Sequence, residues 1–137
     1  MLAPLGEGSR FGFAWVALCA ALAIHVADEA LSGFLSVYNP AVRAIRERLP
    51  FLPLPTFTFR IWLAGLVVAV IGLASLSPFA FARSAWMPVP ASAVAVVMLG
   101  NGAVHIGASL YRRRLMPGVS SAPFLIAAAA WLLLSVP

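Results

Sequence analysis

Across residues 11–37 the chain is almost wholly apolar, and its only acidic or basic side chains there are His25, Asp28 and Glu29. A stretch that holds two adjacent carboxylates inside hydrocarbon-like sequence has few ways to fold. In a helix, residues three and four apart share a face. His25, Asp28 and Glu29 then project to one side, with Ser32 and Ser36 continuing the stripe. An ionised Asp at the centre of a bilayer costs about 2.5–3.5 kcal/mol on insertion scales, so such groups are normally paired or functional.

The surroundings decide the class. Hydrophobic residues make up 63% of the 137, charged residues 9%, and mean hydropathy is +1.01. A soluble domain carries roughly a quarter charged residues. The expectation is an all-α integral membrane protein, one domain over residues 1–137 with no separate soluble head. The net charge of +5 comes from arginines, with no lysine. They sit at the ends of apolar segments, where topology and lipid phosphates account for them, so the bilayer and not nucleic acid is the expected partner. Cys19, the single cysteine, reads as a small buried apolar residue. The sequence carries no P-loop, dinucleotide fingerprint, nucleophile elbow or haem-attachment motif.

Four apolar segments set the expected architecture, a four-transmembrane-helix bundle with a short interfacial helix between the first two spans. A polar leader over residues 1–10 precedes the first span, 11–37. The missing small-x-small site and the apolar segments that follow argue against a cleaved signal peptide. Pro40 is expected to end the first helix, because it disfavours helical geometry at Asn39. Residues 41–49 place Val42, Ile45 and Leu49 on one face and arginines around the other, the pattern of an amphipathic interfacial helix. Pro50, Pro53 and Pro55 then impose an extended connector over residues 50–56.

The second span is 59–81, with Gly65, Gly72, Ser75 and Ser77 as small surfaces for helix contact and Pro78 near its end. The third is 86–111, with Pro88 and Pro90 in its first turns. The fourth is 119–136, short of the roughly 20 residues a bilayer requires, so it must start near Val119 or lie where the protein thins the membrane. Trp62 and Trp86 lie near span ends, as interfacial belts predict. Arg43, Arg46, Arg48 and Arg112 to Arg114 follow the first and third spans, against Arg10 and Arg83 on the other side. The positive-inside rule therefore places both chain ends outside the cytoplasm.

The third span carries a second polar group, Asn101 and His105, four residues apart on one helical face, with Ser109 and Arg112 nearby. Spans one and three run in the same direction, and their polar stripes lie at similar depth. The two stripes are expected to meet in the cytoplasmic half of the bundle.

His25-x-x-Asp28-Glu29 in the first span, followed by Asn101-Gly102-Ala103-Val104-His105-Ile106-Gly107 and the stretch from Tyr111 to Pro117-Gly118, resembles the HXXEE family of small bacterial membrane proteins. Asp28 stands where the family motif has its first Glu, one methylene shorter with the same chemistry. The resemblance implies a multi-span helical protein of the bacterial inner membrane. It also implies functional positions at His25, Asp28, Glu29, Asn101 and His105, and no settled activity.

Three chemistries suit these side chains. His25, Glu29, His105 and Asp28 can ligate one divalent metal, with Zn, Fe(II) or Mn matching histidine and carboxylate donors. Without a metal, Asp28 and Glu29 cannot both ionise easily side by side, and one retains a proton as half of an acid–base pair. Either site would act on a lipid or isoprenoid-like small molecule arriving sideways, by isomerisation, cyclisation or hydrolysis. The third reading is structural, polar interhelical contacts worth on the order of 1 kcal/mol each. A proton- or ion-carrying module is the rival from another class, and homo-oligomerisation stays open with it.

Overall fold

The computed structural model describes residues 7–137, and among them every regular element is helical. Residues 1–6 of the expected polar leader lie outside this range. Helix α1 (Glu7–Ser32) is the centre of the fold. Its buried positions, Phe11, Ala14, Trp15, Leu18, Leu22, His25 and Glu29, recur every three or four residues and form one continuous face. The site residues His25 and Glu29 thus continue the stripe that packs the core. Helices α3 (Phe59–Ser75), α4 (Ser77–Phe81) and α6 (Ala122–Leu133) all pack on α1, and α5 (Pro88–Arg112) packs on α6.

The first helix stops earlier than Pro40 suggests. Gly33 adopts φ 77°, ψ 41°, a left-handed conformation that glycine takes without a Cβ penalty. Helix α2 (Phe34–Arg48) starts directly after it and carries Pro40 inside. Proline's fixed φ is itself helical, and the cost is the missing N–H. Side chains beside it tie α2 to the connector. Asn39 donates to the Phe57 carbonyl at 2.9 Å and accepts from the Phe57 N–H at 3.1 Å, while the Tyr38 hydroxyl donates to the Pro55 carbonyl at 3.1 Å. The expected helix over 41–49 is therefore the second half of a longer one.

The second apolar segment is also divided. Its break lies at Leu76, just ahead of Pro78, and separates α3 from α4. Trp15 donates its indole N–H to the Leu73 carbonyl at 3.1 Å, supplying a partner where the α3 ladder ends. Gly65 and Gly72 make no close helix contact within the chain, since a Cβ built on either would meet nothing within 4 Å. Ser75 and Ser77 donate to the Gly72 and Ala74 carbonyls, both in α3, at 2.6 Å. The close approaches lie elsewhere. A Cβ on Gly12 would run into the Phe81 ring, and one on Gly102 would stand 2.6 Å from Ile126 and 3.2 Å from the Ala122 carbonyl oxygen. Trp62, near the start of its span, is buried and stacks on Phe34 with ring centroids 5.7 Å apart.

Among the described residues, three segments are long and apolar enough to cross a membrane: Ser9–Leu31, Phe59–Phe81 and Pro88–Arg112. Helix α6 has 12 residues. At 1.5 Å per residue it reaches about 18 Å, short of a hydrocarbon core of about 30 Å. The extra turn expected from Val119 is absent because residues 117–121 form a turn, with Gly118 at φ 82°, that folds back against α1 and α5.

Candidate metal centre

The α1 face delivers His25 and Glu29, one helical turn apart, and α5 delivers His105 from the other side. All three are buried, with His25 wholly inaccessible. Glu29 Oε1 lies 3.0 Å from His105 Nε2 and 3.8 Å from His25 Nε2. The two imidazoles meet edge to face, centroids 4.8 Å apart at 83°. The ring of Phe34 at 5.9 Å closes the His105 side.

The opposite edges of both rings are held by the turn between α5 and α6. His105 Nδ1 lies 2.5 Å from the Pro117 carbonyl oxygen. A carbonyl only accepts, so this nitrogen carries the proton. Ser121 gives both its backbone N–H and its hydroxyl to Asp28 Oδ2, at 2.9 and 2.7 Å. Its oxygen is then left to accept from His25 Nδ1 at 2.8 Å. The hydrogen-bond inventory thus places a proton on Nδ1 of both rings and turns both Nε2 atoms toward one Glu29 oxygen; at 3.0 Å, His105 Nε2 and Glu29 share a proton wherever no ion lies between them. His25 Nε2 has no hydrogen-bond partner, the one buried side-chain atom among the described residues so placed.

One donor atom each from His25, Glu29 and His105 lie within 4.8 Å of one another. Donors around a four-coordinate ion at about 2.0–2.1 Å stand roughly 3.3 Å apart. The two distances to Glu29, 3.0 and 3.8 Å, bracket that value, while the three donors together spread over as much as 4.8 Å. Histidine ligands usually give their second nitrogen to a carbonyl or another oxygen acceptor, which fixes tautomer and ring orientation. Pro117 and Ser121 occupy those positions here. Two histidines and one carboxylate leave further coordination positions open.

Asp28 is placed apart from this group. It faces Ser121 and acts on His25 through that hydroxyl, so it stands behind the expected ligand set instead of inside it. Ser32 donates to the Asp28 backbone carbonyl and Ser36 to the Gly33 carbonyl at 2.7 Å, and neither extends the polar stripe into the site. Ser109 accepts from the Met116 N–H at 3.0 Å and donates to the His105 carbonyl at 2.9 Å, fastening the turn to α5. Gly118 lets that turn come close. A Cβ there would sit 2.7 Å from His105 Nδ1 and 3.1 Å from Glu29 Cγ. Ser121 is the site residue that the sequence patterns do not reveal. A serine ahead of an apolar run reads as a helix cap, yet Ser121 makes no side-chain cap on α6.

Asn101 lies one turn before His105 and lines a cleft of about 320 Å³ with His25 and Glu29. The floor is α1, through Leu22 and Val26, and the walls are α3 and α5, through residues such as Val70 and Val97. The polar groups gather at one end, and the rest of the lining is apolar.

No curated protein and no solved structure matches the chain. A family model described as "protein of unknown function with HXXEE motif" matches residues 15–132, a range that contains both histidines, the Asp28–Glu29 pair and the α5–α6 turn. The chain belongs to the HXXEE family.

Proposed function

We propose that this chain is an integral-membrane enzyme that acts on a hydrophobic small molecule through a divalent metal held by His25, Glu29 and His105. The carrying observation is the buried, unpartnered Nε2 of His25, aimed with His105 Nε2 at one Glu29 oxygen. A buried polar atom without a partner costs about 1–3 kcal/mol, which a bound ion would offset. Zn, Fe(II) and Mn suit the donor set. Such an ion polarises a substrate oxygen or activates a water. The chain's own residues hold the two imidazoles in one tautomer, screen them from solvent and leave the cleft side open.

In this reading α6 is the fourth helix of the bundle, held within the membrane by a bilayer thinned around it or by its packing on α1 and α5. The arginine-rich connectors face the cytoplasm of a bacterial inner membrane, with both chain ends on the far side. The 3.0 Å contact between Glu29 and His105 supports a second reading, a metal-free acid–base pair working on the same class of molecule.

The test is turnover. Protein in nanodiscs made from a total extract of the host membrane, supplied in turn with Zn, Fe(II) and Mn, should convert at least one lipid species, followed by mass spectrometry. Glu29→Gln protein should leave that species untouched. Metal bound with no lipid changed would contradict the enzyme and favour an ion-carrying module.

A further inference from the structure

The cleft beside the metal centre has a shape and a charge pattern that restrict what can occupy it. Helices α3 and α5 make little direct contact with one another and are joined through α1 and α6. The space between them therefore faces the hydrocarbon of the bilayer. Ala93 and Val97 are exposed along this opening on α5, and Leu66 and Val70 are half-buried across from them on α3. At about 320 Å³ the cleft lies at the low end of small-molecule sites, which run from about 300 to 1,000 Å³. That admits one chain, not the two acyl chains of a phospholipid.

The polar end selects the head. Among the described residues lining the cleft, only His25, Glu29 and Asn101 carry polar side chains, and none is Arg or Lys. No Arg or Lys lines the cleft to pair a phosphate or carboxylate head, so only the proposed ion, already held by Glu29, would face it, and an ionised head must leave water for an apolar enclosure, where charge is costly. A hydroxyl or carbonyl oxygen fits. Asn101 both donates and accepts hydrogen bonds, and it stands on the α5 face that presents His105 one turn later.

We infer that the cleft binds a neutral, single-chain amphiphile, a long-chain alcohol or aldehyde. Its oxygen sits at Asn101 beside the His25–Glu29–His105 cluster, and its tail lies between α3 and α5. Asn101 acts as a positioning residue for the head. This assignment rests on the membrane-enzyme reading for its purpose, and its test reads binding alone.

Protein in nanodiscs is exposed to a hexadecanol analogue bearing a mid-chain diazirine and irradiated, and labelled peptides are mapped by mass spectrometry. Labelling should concentrate on the cleft-facing residues of α3 and α5, and unlabelled hexadecanol should suppress it while hexadecanoate and hexadecylamine do not. Asn101→Leu should weaken suppression by hexadecanol roughly five- to tenfold, one hydrogen bond's worth. Ala93→Trp and, separately, Val97→Trp should abolish cleft labelling and keep the wild-type metal content. Labelling spread equally over the outward residues Val68 and Ile71, or equal suppression by the acid or the amine, would overturn the assignment. A wild type without metal that still labels in the cleft would overturn the metal centre and leave the amphiphile site standing.

Discussion

His25 Nδ1 and the hydroxyl of Ser121 stand 2.8 Å apart across 96 positions of sequence, and the same hydroxyl lies 2.7 Å from Asp28. This joins the two halves of the chain at the back of the His25–Glu29–His105 cluster and turns Nε2 of His25 toward Glu29. The first acid of the motif then has a physical task distinct from the second. Asp28 holds Ser121, Ser121 orients His25, and Glu29 stands among the donors.

Ser121→Ala removes the acceptor of His25 and one of the two donors to Asp28, leaving the Ser121 backbone N–H bond in place. Loss of such an outer partner costs about 10–100-fold in metal affinity. Titration of metal-stripped protein should show that loss with little change in thermal stability. Asp28→Asn should weaken binding in the same direction, whereas removal of a ligand should abolish it.

Gly118→Ala meets two obstacles, a positive φ of 82° and a contact at 2.7 Å with His105. Strain at such a position costs about 1–3 kcal/mol, and relief requires His105 to move. The variant should melt earlier and bind metal more weakly. Gly107→Ala, on α5 with nothing within 4 Å of a built Cβ, is the control. It should be neutral or stabilising by about 0.5–1 kcal/mol, as alanine replaces glycine inside a helix.

The site and the fold were legible to different depths. His25 and Glu29 are readable because helical spacing puts them on the buried face of α1, and His105 because a lone ionisable residue in an apolar run invites a partner at the same depth. The share of Ser121 was hidden, since it depends on a turn whose geometry comes from Gly118 and on a contact between distant parts of the chain. Helix ends depart from the sequence pattern where two breakers compete. Pro40 attracts attention, yet Gly33 breaks the helix, because a left-handed residue redirects the chain while proline can ride within a helix. In the same way, glycines on α3 suggested close packing, but the close approaches occur at Gly12 and Gly102, which only tertiary contacts identify.

Gly102 sets the distance between α5 and α6, with Ile126 and the Ala122 carbonyl against it. Gly102→Ala should cost about 1–3 kcal/mol, the usual penalty of overpacking. The same variant in a shortened Ile126→Ala background should recover most of that loss. A double-mutant cycle on thermal unfolding in detergent measures the coupling.

Asn39→Ala deletes both hydrogen bonds to Phe57. The segment between α2 and α3 should then be cleaved faster by added protease, at residues 50–58, while metal content stays at the wild-type level. Equal cleavage rates would show that Tyr38 and the aromatic stack suffice to hold the connector.

The most direct measurement is elemental mass spectrometry on gently purified wild-type, His25→Ala, Glu29→Gln and His105→Ala proteins, each checked for folding by its thermal transition. The wild type should carry close to one equivalent of Zn, Fe or Mn, and the two histidine variants should lose it while remaining folded. A folded wild type that stays metal-free after incubation with each ion, or histidine variants that retain the metal in full, would contradict the assignment of His25, Glu29 and His105 as its ligands.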